Sequence, residues 1–200
     1  VSRRAMACDF VVRYHAAAGP AVTDLMLAAL DQIEQLEAQL SVYRETSEVS
    51  EINRQAATQP VPVEPRLAEL VATCQQVWTA TEGAVEITRE AALKRVGSDR
   101  WQLNLDDPSV AFAGDGVEIN FNSIGKGYAL DRVAETLAAH DVTDYLWHGG
   151  RSSVLARGVN HADPRKAWTV GVGHPLHPGK RVAELHLRDQ GMGTAGSGTQ

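Results

Sequence analysis

The sequence predicts an α+β fold, with helices mainly in its N-terminal half and strands mainly in its C-terminal half. Two long early stretches repeat apolar residues at three- and four-residue steps, as amphipathic helices do. After residue 100 the apolar runs shorten and are bounded by Gly, Pro, Asn or Asp, as strands are. This segregation disfavours a doubly wound sheet, whose strands and helices alternate.

Residues 5–14 read as a first strand, with Phe10, Val11 and Val12 apolar. A long helix is expected over 20–42, where Met26, Leu30, Ile33, Leu36 and Leu40 share one face. Ser47 fits the N-cap of a short second helix. Pro60 and Pro62 punctuate a loop. The next helix starts at Glu64-Pro65, buries Leu67, Leu70, Val71, Cys74, Val77 and Trp78, and stops near Glu82-Gly83. Gly83 suits a left-handed cap. A short helix is expected over 86–96, and a hairpin over 101–112 around Asp106-Asp107-Pro108. Val117, Ile119 and Phe121 alternate as on a half-buried strand over 117–122, and a helix then runs to about His140. Further strands are expected at 144–148, 152–157, 167–172 and 181–187.

Two hundred residues are enough for one domain with a sizeable core. The 19 basic and 25 acidic residues leave a net charge of −6 with no basic run, which argues against nucleic acid as the main partner. Cys8 and Cys74 are too few and too far apart for a disulfide framework or a cysteine metal site. No apolar run approaches the ~20 residues of a spanning helix, and no signal core follows Val1-Ser2-Arg3-Arg4. The final Gly193-Thr194-Ala195-Gly196 reads as a turn, so a further C-terminal portion is expected.

Chemistry concentrates in Asn122-Ser123-Ile124-Gly125-Lys126-Gly127, between strand and helix. Free N–H groups at a helix start, the dipole and a lysine together make an anion site; a tight turn with a solvated lysine fits equally. The P-loop spacing and the G-x-G-x-x-G fingerprint are both absent. Tyr43, past the end of the long helix, can stack on a flat heterocycle or simply pack at a boundary. Glu86 can accept hydrogen bonds from a ligand or favour a helix start. His174 and His177 lie in a Pro-rich loop with no carboxylate nearby, better read as solvated than as metal ligands. His148 precedes Gly149-Gly150, a turn that lets backbone approach a ligand.

In order, these segments resemble the ApbE family of FAD:protein FMN transferases. The resemblance rests on Met6; on Leu40-Ser41-Val42-Tyr43 followed by Ser47-Glu48-Val49-Ser50-Glu51-Ile52-Asn53; and on Gly83-Ala84-Val85-Glu86. It rests also on Asn122 to Asp131, against the family's G-x-I-A-K-G-Y-A-x-D, and on Gly149-Gly150, Ala167-Trp168 and Thr194-Ala195-Gly196. It implies one ApbE-like, T-fold-type domain over residues 1–200, lacking the family's C-terminal metal-binding segment, whose H-x-x-D-P motif is not found.

The same resemblance implies a function. FMN would pass from FAD to a Thr or Ser hydroxyl of a target flavoprotein, with Mg²⁺ and release of AMP. Met6, Tyr43, Ala84, Val85, Glu86, Ser123, Lys126 and Tyr128 would bind FAD, with Tyr43 on the flavin. Lys126 would also be catalytic, and the Gly125 carbonyl would ligate Mg²⁺. Relatives place such proteins in the periplasm or cell envelope, so membrane contact would come only through a lipid anchor. Arg151 and the missing metal-binding segment point to an alternative, an ApbE-like protein that holds FAD without transfer. The family's Met-Gly-Thr is Met6-Ala7-Cys8, its Phe-Asp is Val85-Glu86, and the Asp after Gly-Gly is Arg151, which favours phosphate over a cation.

Overall fold

Val1–Glu34 and Lys126–Gln200 make up one unit of the chain and Gln35–Gly125 the other. The computed structural model describes residues 1–15, 19–84, 88–89, 98–150, 152–177 and 179–194. In chain order the elements begin β1 (Ser2–Ala5), β2 (Cys8–Tyr14), α1 (Pro20–Leu40), α2 (Glu48–Gln55), β3 (Val61–Pro62) and α3 (Pro65–Ala80). Next come β4 (Thr88–Arg89), β5 (Trp101–Asn104), β6 (Ser109–Phe112), β7 (Glu118–Ile119) and α4 (Gly125–Ala138). The order ends with β8 (Tyr145–Gly149), β9 (Ser153–Arg157), β10 (Trp168–Gly173), β11 (Arg181–Leu187) and β12 (Gln190–Gly193). The fold is α+β, as the segregated patterns require.

In the first unit, the strand expected over 5–14 is instead a hairpin of β1 and β2. Met6 and Ala7 form its two-residue turn at φ 49° and 59°. Paired positive φ values match the twist of the flanking strands. The turn escapes sequence reading because neither residue is the Gly or Asn that such turns favour. β1, β2, β8, β9 and β12 form a five-stranded antiparallel sheet. Strand β12 was not anticipated: its Gly-Met-Gly offers too few side chains for a period-two signal, and pairing with β9 supplies its order.

Strands β10 and β11 pair antiparallel, with Trp168 opposite Leu187. Those two residues pack with Leu146, Val154 and Ala156, and Val170 and Met192 complete the cluster. On α1, Met26, Leu30 and Ile33 are at most 1% exposed, each burial contributing roughly 2 kcal/mol. Thr136 of α4 donates to Gln32 of α1 at 2.9 Å.

In the second unit, β3, β6 and β5 form one sheet and β4 and β7 another. The loop expected at Pro60 and Pro62 contains β3, an edge strand that tolerates Pro because its N–H side needs no ladder partner. The expected hairpin over 101–112 is present as β5 and β6, with Asn104 Oδ1 accepting from the Asp106 and Asp107 amides in its turn. The helix expected over 86–96 is corrected where it can be tested. Thr88 and Arg89 are strand, opposite Ile119 and Glu118; the rest of that span lies outside the described residues.

The strand expected over 117–122 is also shorter. It is paired only over β7, after which Phe121–Ser123 turn in a 3-10 helix. Burial still follows the predicted alternation, since Val117, Ile119 and Phe121 are all buried. No helix among the described residues is long and apolar enough to cross a membrane.

Candidate functional site

In the second unit, the Leu40–Tyr43 and Ser47–Asn53 segments fold onto each other. Ser47 caps α2, its Oγ accepting from the Ser50 amide at 3.0 Å. Its hydroxyl in turn donates to the Ser41 carbonyl at the end of α1. Ser41 Oγ accepts from the Tyr43 amide at 3.2 Å. Polar atoms of this motif therefore build the α1–α2 corner, and the Tyr43 ring projects from it 80% exposed. An aromatic face left in water is available for stacking on a planar ligand.

The α3 terminus is a Schellman motif. Gly83 N–H bonds the Trp78 carbonyl at 2.9 Å and Glu82 N–H bonds the Thr79 carbonyl at 3.3 Å. The left-handed cap expected at Gly83 is thus shared: Glu82 (φ 52°) takes the first left-handed position and Gly83 (φ 82°) the next. Ala84 follows, exposed. Val85 and Glu86 lie outside the described residues, as does Arg151.

The central motif begins in this unit as well. Asn120 caps the 3-10 turn, its Oδ1 accepting from the Asn122 amide at 2.9 Å. Ser123 is exposed on that turn. Gly125 opens α4, and a Cβ placed there would meet nothing closer than Phe121 Cβ at 4.0 Å. Its backbone therefore has no steric need for glycine. Among the described residues no group of three or more His, Cys, Asp or Glu side chains is arranged to hold a metal ion. The described His, Cys, Asp and Glu side chains thus do not assemble a Mg²⁺ site around the Gly125 carbonyl, and no chemical step is assigned to the metal. His174 Nδ1 accepts from the Leu176 and His177 amides at 3.0 and 3.2 Å, so this nitrogen caps a turn.

In the first unit, Lys126 stands on the first turn of α4, and its Nζ donates to Ser152 Oγ at 2.9 Å. Ser152 belongs to the β8–β9 turn, and its carbonyl accepts from the Thr194 amide at 2.8 Å. The same turn lies against the β1–β2 hairpin. Gly150 N–H donates to the Asp9 carbonyl at 2.9 Å, and Cys8 Sγ lies 3.4 Å from where a side chain at Gly150 would begin. Three segments singled out separately, around Met6, Lys126 and Thr194, are therefore joined through Gly150 and Ser152. Ser152 itself was missed by sequence reading; an isolated serine after Gly-Gly carries no signal until a lysine 26 positions away meets it.

Tyr128 is half-buried, and the Arg132 guanidinium lies over its ring at 5.0 Å. Asp131, the last residue of the motif, lines a cavity of about 510 Å³ with Tyr145, Arg157 and Asp189. Removal from water pushes its carboxyl above the usual aspartate range, against the opposing pull of Arg132 and Arg157. Gly149 also has a packing reason to be glycine. A Cβ on Gly149 would fall 2.8 Å from Phe10 Cε1, and His148 Nδ1 is 2.9 Å from the Gly150 carbonyl.

Comparison with known proteins places these features in context. The ApbE family profile matches residues 6–97 and 88–200. The FAD:protein FMN transferase of Haemophilus influenzae is 25% identical over 193 residues, covering 83% of this chain and 55% of that protein. The Salmonella typhimurium protein of the same name is 24% identical over 185 residues, covering 79% and 52%. The chain spans about half the length of these curated relatives. Among solved structures, the ApbE protein of Thermotoga maritima superposes with a TM-score of 0.81 at 20% identity, covering 96% of this chain and 68% of that one. The flavin transferase ApbE of Vibrio cholerae gives 0.79 at 18% identity, covering 94% and 68%. These likenesses establish an ApbE-like fold.

Proposed function

The chain belongs to the ApbE family, and on that premise we propose that it is an FAD:protein FMN transferase. The observation that carries this reading is Lys126. By the sequence resemblance it matches the family's lysine; it stands on the first turn of α4 with its ammonium donating to the Ser152 hydroxyl. A helix start and an ammonium together suit a pyrophosphate.

In the reaction, the hydroxyl oxygen of a Thr or Ser on the acceptor flavoprotein bonds to the phosphorus on the FMN side of the FAD pyrophosphate. The bond from that phosphorus to the bridging oxygen breaks, AMP leaves with the bridging oxygen, and the hydroxyl proton passes to solvent. Lys126 would neutralise charge on the phosphate oxygens, and Tyr43 would stack on the isoalloxazine. Met6, Ala84, Val85, Glu86, Ser123 and Tyr128 would complete the FAD contacts. The compartment, by the same resemblance, is the periplasm or cell envelope.

The test is to incubate the chain with FAD, Mg²⁺ and an acceptor flavoprotein domain, following covalent flavin by in-gel fluorescence and AMP by chromatography. Wild type should give both products and Lys126→Ala neither. Flavin bound without covalent product or AMP would favour the second reading, an FAD-holding protein. No flavin binding at all would sink both.

A further inference from the structure

We infer that Ser152 is a positioning residue for Lys126, holding its ammonium toward the pyrophosphate, an assignment that rests on the phosphate role proposed for Lys126. An ammonium has three N–H donors and no acceptor, so at 2.9 Å Ser152 Oγ must be the acceptor. The hydroxyl proton of Ser152 therefore points away from Nζ, and two ammonium N–H groups remain for a ligand. A lysine side chain has four rotatable bonds, and one such anchor removes much of the freedom it would otherwise lose on meeting an anion.

The anchor is itself held. The Ser152 carbonyl accepts from the Thr194 amide at 2.8 Å, and Ser153, the next residue, pairs with Gly149 across the β8–β9 hairpin. Gly150, two residues earlier, is tied to the Asp9 carbonyl at 2.9 Å. A hydroxyl on a turn fixed at three points presents a constant acceptor. Ser152 and Lys126 are both half-buried, so water competes only partly for the contact.

The test measures FAD by flavin fluorescence quenching and inorganic pyrophosphate by calorimetry, on the full chain. Ser152→Ala should weaken both by about tenfold. Ser152→Cys, similar in volume but a poor acceptor, should do the same, whereas Ser152→Thr should stay within about twofold of wild type. In a Lys126→Ala background, Ser152→Ala should have no further effect, which a merely structural role would not produce. Unchanged binding in both the Ala and Cys variants, or a Ser152→Ala loss that persists in the Lys126→Ala background, overturns the assignment. A wild type that takes pyrophosphate but not FAD sinks the flavin reading and leaves Ser152 to be judged on pyrophosphate. Binding of neither overturns both.

Discussion

The side-chain amide of Asn53 pairs with both backbone groups of Ile119, Nδ2 donating to the carbonyl at 3.0 Å and Oδ1 accepting from the N–H at 2.7 Å. Asn53 thus acts as a one-residue strand against β7. It ties the last residue of the Ser47–Asn53 motif to the strand that leads into Asn122–Asp131. The two motifs are 66 residues apart at this contact. Asn53 holds the entry to the turn on which Ser123 sits.

Removing that amide should be costly. Ile119 is fully buried, so Asn53→Ala leaves an N–H and a C=O without partners, for a loss of about 2–3 kcal/mol in urea unfolding. Asn53→Asp keeps the acceptor but sets a carboxylate oxygen against the Ile119 carbonyl. It should be nearly as destabilised at neutral pH and should recover partly in acid, where the protonated carboxyl can donate. Equal stability of Asn53→Ala and wild type would remove the clamp from the account.

Two glycines of the conspicuous motifs should respond oppositely to alanine. At Gly149 the new Cβ would sit 2.8 Å from Phe10 Cε1, and Phe10 is fully buried, so the ring has little room to withdraw. Gly149→Ala should cost about 1–3 kcal/mol. At Gly125 the nearest atom is 4.0 Å away, and alanine reduces the freedom of the unfolded chain. Gly125→Ala should be neutral or stabilising by about 0.5 kcal/mol. Thermal unfolding of the two variants decides both.

Acid should weaken the loop before β10 through Asp163. Its carboxylate accepts from the Arg165 amide at 2.7 Å and from Thr169 Oγ1 at 3.2 Å. The Arg165 hydrogen bond is the main cause that holds its carboxyl below the ordinary aspartate range. A folded value below the unfolded one means that the stabilisation is fully present above the unfolded value. It is lost as pH falls through the folded value. Asp163→Asn should therefore lower the melting temperature slightly at neutral pH and converge with wild type in strong acid. A difference that grows toward acid would contradict this.

Much of the architecture could be read from one dimension because its signals are local. The three- and four-residue apolar steps of α1 and α3, the Ser47 cap and the short strands β8 to β11 are each specified by residues within a few positions of one another. Their observed bounds agree with expectation within about two residues. Lys126 was legible for the same reason, as a lysine between glycines at a strand-to-helix turn.

The pairing partners were decided elsewhere. The Met6-Ala7 turn takes left-handed backbone without glycine, because the register of β1 on β2 requires it. Glu82 takes the cap position that composition assigned to Gly83, because α3 ends at Ala80 and its Schellman hydrogen bonds set the first left-handed residue at 82. Asn53 meets Ile119, and Ser152 meets Lys126, across separations that no periodicity encodes. By itself the sequence determined most of the elements, the family and the place of a lysine at a strand-to-helix turn, since each is written in neighbouring side chains. Only the tertiary structure decided what holds that lysine and that strand in place, because a hydrogen bond between distant residues exists only once the chain has brought its two ends together.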